Sequence, residues 1–199
     1  MITFTLFSTL ATFYFTMFFT PGPNNAMLTA SGMKFGFIRT LPHLTGITLG
    51  HILQISLTCF GLANLFLIYP QVQFYMTILC FLYLLYLSWK MIGSFSVVQK
   101  KTGRPLKFYE ASLFQFINPK AWSIAVTVAS GFFPSEENIF IGVAFVTITA
   151  AVICFPAISV WALFGSGLRK FIKNTKIKKT IEYLLALLLI LTGLFILLK

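Results

Sequence analysis

Six apolar stretches, each near the 20 residues that a helix needs to cross the hydrocarbon of a bilayer, occupy most of this 199-residue chain. They lie near Thr3–Thr20 and on to about Ala30, then Leu44–Leu67, Phe74–Ile92, Ser112–Phe133, Ile139–Leu163 and Ile181–Leu198. The chain is 58% hydrophobic and 10% charged, with a mean hydropathy of +0.89. A soluble domain has about 45–50% and about 25%. So much apolar surface cannot be kept from water, so the lipid bilayer is the solvent. Runs of this length predict an all-α membrane protein with six transmembrane helices and a single transmembrane domain over 1–199. The first run has no Lys or Arg before it and no small-x-small cleavage signal, so it is expected to stay as the first span.

The charges carry a topology. Fifteen Lys and Arg stand against four acids, Glu110, Glu136, Glu137 and Glu182. A nucleic-acid binder gathers such charge on one solvated face with aromatics among it. Here the basic residues sit in short loops, so no nucleic acid is expected. With no Asp at all, a multi-carboxylate metal site has little material, and no metal or other cofactor is predicted. Apart from Lys120 and the terminal Lys199, the basic residues fall in three loops. These hold Lys34 and Arg39; then Lys90, Lys100, Lys101, Arg104 and Lys107; then Arg169, Lys170, Lys173, Lys176, Lys178 and Lys179. The alternate loops, Tyr69–Gln73 and Pro134–Asn138, hold none. Basic loops mark the cytoplasmic side, so both termini are expected to be extracytoplasmic. Cys59, Cys80 and Cys154 lie in three different apolar runs without a CxxC pair, and read as buried packing thiols.

Two segments break the pattern. The first run is too long for one straight span, and Pro21-Gly22-Pro23 interrupts it. Two prolines remove two N–H donors around a glycine, so helix one must break there. Helix four carries Asn118-Pro119-Lys120 part-way in, with the same effect. Three spans per half place the halves in opposite orientations, which predicts two inverted-topology three-helix repeats over about 1–95 and 108–199, joined by a cytoplasmic loop of about 93–110. An internal echo agrees: Phe18-Phe19-Thr20-Pro21 aligns with Phe116-Ile117-Asn118-Pro119, and Ala30-Ser31-Gly32 with Ala129-Ser130-Gly131.

Breaking a helix inside a bilayer exposes N–H and C=O groups that cost several kcal/mol unless satisfied. The half-helix after Pro23 offers N–H groups and a positive dipole end to a carboxylate, and the carbonyls before the break suit an ammonium. Around them stand Thr20, Asn24, Asn25, Gln115 and Asn118. The predicted substrate-binding set is therefore Pro21, Gly22, Pro23, Asn24, Asn25, Gln115, Asn118, Pro119 and Lys120, arranged for a small zwitterion. Lys120 lies deep in span four, roughly 16 Å from the flank near Tyr109 at 1.5 Å per residue, so it should face a cavity as a carboxylate partner or gate. His51 follows Gly46-x-x-x-Gly50, a close-packing pair, and titrates near neutrality. With Glu110 it is a candidate for carrying a coupling proton, against plainer roles as a packing histidine and a helix-start carboxylate. His43, beside Pro42, is expected at the membrane interface, and Glu182 at the start of span six. No Walker loop is present, so energy should come from an ion gradient or from the substrate's own gradient.

With Pro21-Gly22-Pro23-Asn24 and Asn118-Pro119-Lys120-Ala121 at this spacing in a six-span chain, the sequence resembles the LysE/RhtB family of bacterial amino-acid exporters over essentially its whole length. Among the branches it looks somewhat like the cysteine/O-acetylserine exporters. The resemblance implies efflux of amino acids or derivatives across the inner membrane, driven by the proton motive force, and a homodimer is the assembly to consider. Many relatives carry an acid in span two where this chain has His51, which disfavours a lysine-type substrate and favours a neutral one. Two rivals come from the wider superfamily. A metal or inorganic-ion exporter lacks its ligands here, and a membrane thiol-disulfide carrier lacks cysteines near the breaks. A structural membrane protein would not need a buried lysine or paired breaks.

Overall fold

The computed structural model describes residues 2–62, 68–92, 103–134, 137–169 and 175–197, and among these the regular structure is entirely helical. The helices are α1 (Phe4–Phe19), α2 (Pro23–Phe35), α3 (Phe37–Leu57, extended by a π turn at Thr58–Leu62), α4 (Pro70–Met91), α5 (Phe108–Gln115), α6 (Pro119–Gly131), α7 (Ile139–Leu168) and α8 (Thr175–Leu197). By length and hydropathy, Phe37–Gly61 and Ile139–Leu168 can each cross a membrane. Exposed Phe, Leu, Ile, Tyr and Trp side chains cover the outer faces of α1, α3, α4, α7 and α8, a surface suited to lipid rather than water.

Both expected breaks are present. Thr20-Pro21-Gly22 separates α1 from α2, and Phe116-Ile117-Asn118 separates α5 from α6. Neither half of either broken helix has the 20 residues that spanning takes. By contrast, Pro42 inside α3 and Pro156 inside α7 leave their helices continuous. A single missing N–H can be absorbed as a kink; the first break has two prolines around a glycine, and at the second, with one proline, Asn118 leaves the helical region at ψ 107° and caps the new helix with its side chain. The half-helices α2 and α6 are each 13 residues long and each begins on a proline. Proline suits that position because its N–H would be unsatisfied there anyway. Pro23 and Pro119 are thus the prolines that start a half-helix, whereas the sequence echo pairs Pro21 with Pro119.

Several boundaries move. The loop expected around Lys34 and Arg39 shrinks to Gly36, whose φ of 85° lets α2 end at Phe35 and α3 start at Phe37. Lys34 then sits in the last turn of α2, where the dipole favours a cation. The last helix starts at Thr175 rather than Ile181, so Glu182 lies inside it and is buried, not at its start. His43, expected at the membrane interface, is buried among protein side chains inside α3, which begins seven residues before the span read from hydropathy. Lys100, Lys101, Lys170, Lys173 and Glu136, which bear on the orientation, lie outside the described residues, as do 63–67 at the end of span two and 93–102 in the long basic loop.

Close packing runs through glycines. The half-helix α2 lies along α7, where a Cβ on Gly32 would come within 2.1 Å of the Ala162 carbonyl oxygen and one on Gly165 within 2.0 Å of that of Thr29. The expected Gly46–Gly50 pair serves the contact of α3 with α5: Gly46 faces the Phe108 carbonyl and Gly50 faces Ser112. The Ser112 hydroxyl donates to the Gly46 carbonyl at 2.9 Å. Between helices with no hydrophobic drive toward each other in lipid, such close approach supplies the association energy. Tyr14 donates to the Val146 carbonyl at 3.0 Å, tying α1 to α7, and Ser88 donates to that of Ala186 at 3.0 Å, tying α4 to α8.

Gly32→Ala is expected to destabilise the protein by about 1–3 kcal/mol, the usual cost of overpacking. Gly131→Ala, where an added Cβ meets nothing within 4 Å, should be close to neutral. Thermal unfolding of both variants in detergent checks this, and equal melting temperatures for the two would contradict the packing role.

Candidate functional site

The first break is held by side chains from both halves of the chain. Its freed carbonyls have protein donors: Asn25 Nδ2 reaches Phe18 O at 2.9 Å and Thr20 O at 2.8 Å, and Lys120 Nζ reaches Thr20 O at 2.7 Å and Pro21 O at 3.2 Å. The ammonium at these carbonyls is therefore the protein's own, which corrects the expectation that they await a substrate ammonium. Gly22 leaves room for this contact, because a Cβ there would come 2.9 Å from Lys120 Cδ and push the lysine side chain aside. The other side of the break differs. Helix α2 has no side-chain cap at its N-terminus, so its positive end is left to whatever lies in front of it.

The second break is closed on itself. Asn118 Oδ1 accepts from the Lys120 backbone N–H at 3.1 Å and caps α6. Trp122 Nε1 donates to Phe116 O at 2.9 Å, and Gln54 Nε2, from α3, donates to Gln115 O at 3.1 Å. Gln115 joins the breaks: its side chain exchanges two hydrogen bonds with that of Asn24, at 2.8 and 3.3 Å, and also donates to Ala111 O. Gln54 in turn meets His51 Nδ1 at 3.3 Å. A continuous polar network thus runs from α3 through the α5–α6 break to α2, in surroundings where an unsatisfied group is costly.

Between the breaks lies a small, partly open cavity. Of the predicted residues, Gly22, Pro23, Asn24, Asn25, His51, Asn118 and Lys120 line it. Met17, Phe18, Ile47, Ala121, Ile124 and Ile158 form its apolar wall. Gln115 is fully buried and acts through Asn24; Pro21 contributes a carbonyl to Lys120; Pro119 starts α6. Glu110 does not line the cavity. It stands in the first turn of α5, in a two-bond pair with Arg104 at 2.6 Å and accepting from the Lys107 N–H at 2.8 Å. The Arg104 guanidinium and that N–H hold its carboxyl down to about 2. Gln54 is the residue that sequence reading missed. The available signal was its place three positions after His51 on the same helical face.

Fold and site together define a helical membrane protein whose two broken helices enclose a small, mostly neutral polar cavity with one lysine. The family described as LysE type translocator matches residues 15–199, and the chain belongs to that family. Similar proteins include two named cysteine/O-acetylserine efflux protein. The one from Salmonella paratyphi A is 29% identical over 86% of this chain and 87% of its own length. The one from Escherichia coli O139:H28 is 28% identical over 94% of each. No solved structure matches the chain.

The depressed Glu110 sets a pH window. A carboxyl lowered on folding adds stability that is complete above its ordinary value near 4.3 and is lost as pH falls toward about 2. The difference in melting temperature between the protein and Glu110→Gln is therefore expected to stay level from about pH 5 to 8 and to shrink below about pH 4. A difference that varied steadily across neutral pH would show that Glu110 titrates there.

Proposed function

We propose that this protein is a secondary transporter that exports small neutral amino acids or their derivatives across the inner membrane. The observation that carries the reading is the pairing of the breaks at one cavity: an uncapped α2 N-terminus and the Lys120 ammonium, both positive, face it together with neutral amides. That combination suits a carboxylate in a small zwitterion, and the shortage of acids in the lining disfavours cationic side chains. Relatives named for cysteine and O-acetylserine efflux make these the first substrates to test.

In this reading the chain has six spans in two inverted halves, both termini lie outside, and the halves rock about the cavity so that it opens to each side in turn. The two 13-residue half-helices that start on proline support such a repeat. A proton gradient supplies the energy. Of the two proton candidates, His51 is in the lining, while Glu110 stays ionised as long as Arg104 holds it.

Inside-out vesicles carrying the protein should accumulate labelled cysteine or O-acetylserine under an imposed pH gradient, and collapse of the gradient should abolish uptake. Lys120→Met, inserted normally, is expected to lower uptake at least about tenfold, since the lysine's charge-assisted bonds to the break and its attraction for the carboxylate are lost together. Uptake equal to empty vesicles would reject these substrates. Unchanged transport by Lys120→Met would remove the lysine from the site.

A further inference from the structure

Among the buried side-chain atoms of the cavity lining, His51 Nε2 is the one without a hydrogen-bond partner. The other polar side chains of the lining each make hydrogen bonds within the protein. Asn24 is paired with Gln115, the Asn25 amide N–H groups and Lys120 Nζ with carbonyls of the first break, and Asn118 Oδ1 with the α6 N-terminus. His51 itself is buried, and the Phe18 ring packs edge-on against it at 5.2 Å.

The protonation pattern of this imidazole follows from its neighbours. A backbone carbonyl only accepts, so the end of the Gln54 amide that meets Gln115 O must be its NH2. The end that meets His51 Nδ1 is then the amide oxygen, also only an acceptor, so Nδ1 must carry the hydrogen. A neutral imidazole with its hydrogen on Nδ1 has a bare lone pair on Nε2. We infer that Gln54 fixes His51 as the Nδ1–H tautomer, so that Nε2 is the acceptor that reads the protonated amino group of an amino-acid substrate in the cavity.

The inference rests on the exporter reading above and adds the ammonium half of the site to the carboxylate half at α2 and Lys120. A neutral acceptor in the same cavity as a fixed ammonium favours neutral amino acids. The single ammonium of such a substrate is received by Nε2, while a second cationic group would meet Lys120 with no carboxylate among the described residues of the lining to offset it. Gln54 is the positioning residue and His51 the binding residue. A lone pair occupied by the substrate is closed to a proton, as exchange of one for the other at this nitrogen requires.

The test uses the full-length protein labelled with 15N in lipid nanodiscs, where His43 and His51 are the two histidines to resolve and His51→Gln assigns the signals. Expected are a protonated Nδ1 and an unprotonated Nε2 for His51, with the Nε2 signal shifting on addition of cysteine but not of 3-mercaptopropionate, which lacks the amino group. Gln54→Leu should release the tautomer, so that a protonated Nε2 appears. In ligand-induced thermal shifts, His51→Leu should weaken cysteine about tenfold and leave 3-mercaptopropionate unchanged, with His51→Gln recovering part of the loss through its amide oxygen. A protonated Nε2 in the unaltered protein, or equal weakening of both ligands by His51→Leu, overturns the inference and leaves the exporter reading standing. If the unaltered protein binds no amino acid at all, the exporter reading falls and the ammonium role falls with it.

Discussion

The hydrogen bonds from Lys120 Nζ to Thr20 O and Pro21 O are the contact on which the rest of the site depends. A helix opened inside lipid leaves carbonyls with no water to turn to, and each would cost several kcal/mol. The first half of the chain cannot satisfy them alone: Asn25 covers Phe18 O and Thr20 O, and the remaining demand is met by a lysine a hundred residues later. The lysine has the same need in reverse, since an ammonium at that depth must be solvated by something. The break and the cation therefore stabilise each other, and the position of one determines the position of the other.

From that contact the asymmetry of the two breaks follows. The α5–α6 break is capped by Asn118 and served by Trp122 and Gln54, so it is a finished piece of structure. The α1–α2 break is finished only on its carbonyl side, and its helix N-terminus is open toward the cavity. A closed break positions the lysine, and an open break presents backbone charge. This division explains why two similar proline motifs in one chain need not carry the same task. Glycine packing of α2 on α7 and of α3 on α5 brings the two into register.

Much of this was legible in the residues. The Pro21-Gly22-Pro23 and Asn118-Pro119 breaks, the burial of the Gly46–Gly50 face and the shared cavity of Asn24, Asn25, Asn118 and Lys120 follow from which groups a helix in lipid can and cannot satisfy. Helix ends were less legible. Hydropathy marks where a run becomes apolar rather than where hydrogen bonding begins, so α3 and α8 start earlier than the runs, and His43 and Glu182 lie inside them. Gln54 was harder to read, because its spacing from His51 is the one local signal that a single amide in an apolar run offers. Its meaning lies in Gln115 O and His51 Nδ1, one of them 61 positions away.

By itself the sequence determined that the chain is helical, that it belongs in lipid, and where its helices must break, because these depend on composition and on local backbone chemistry alone. Only the tertiary structure decided which groups satisfy the breaks: that the ammonium at Thr20 and Pro21 is Lys120 rather than a ligand, that Gln115 locks Asn24, and that Glu110 is paired with Arg104 outside the cavity. Hydrogen-bond demand is local, so it can be read along the chain. The partners that meet it come from distant segments, and their choice is made only when the helices pack.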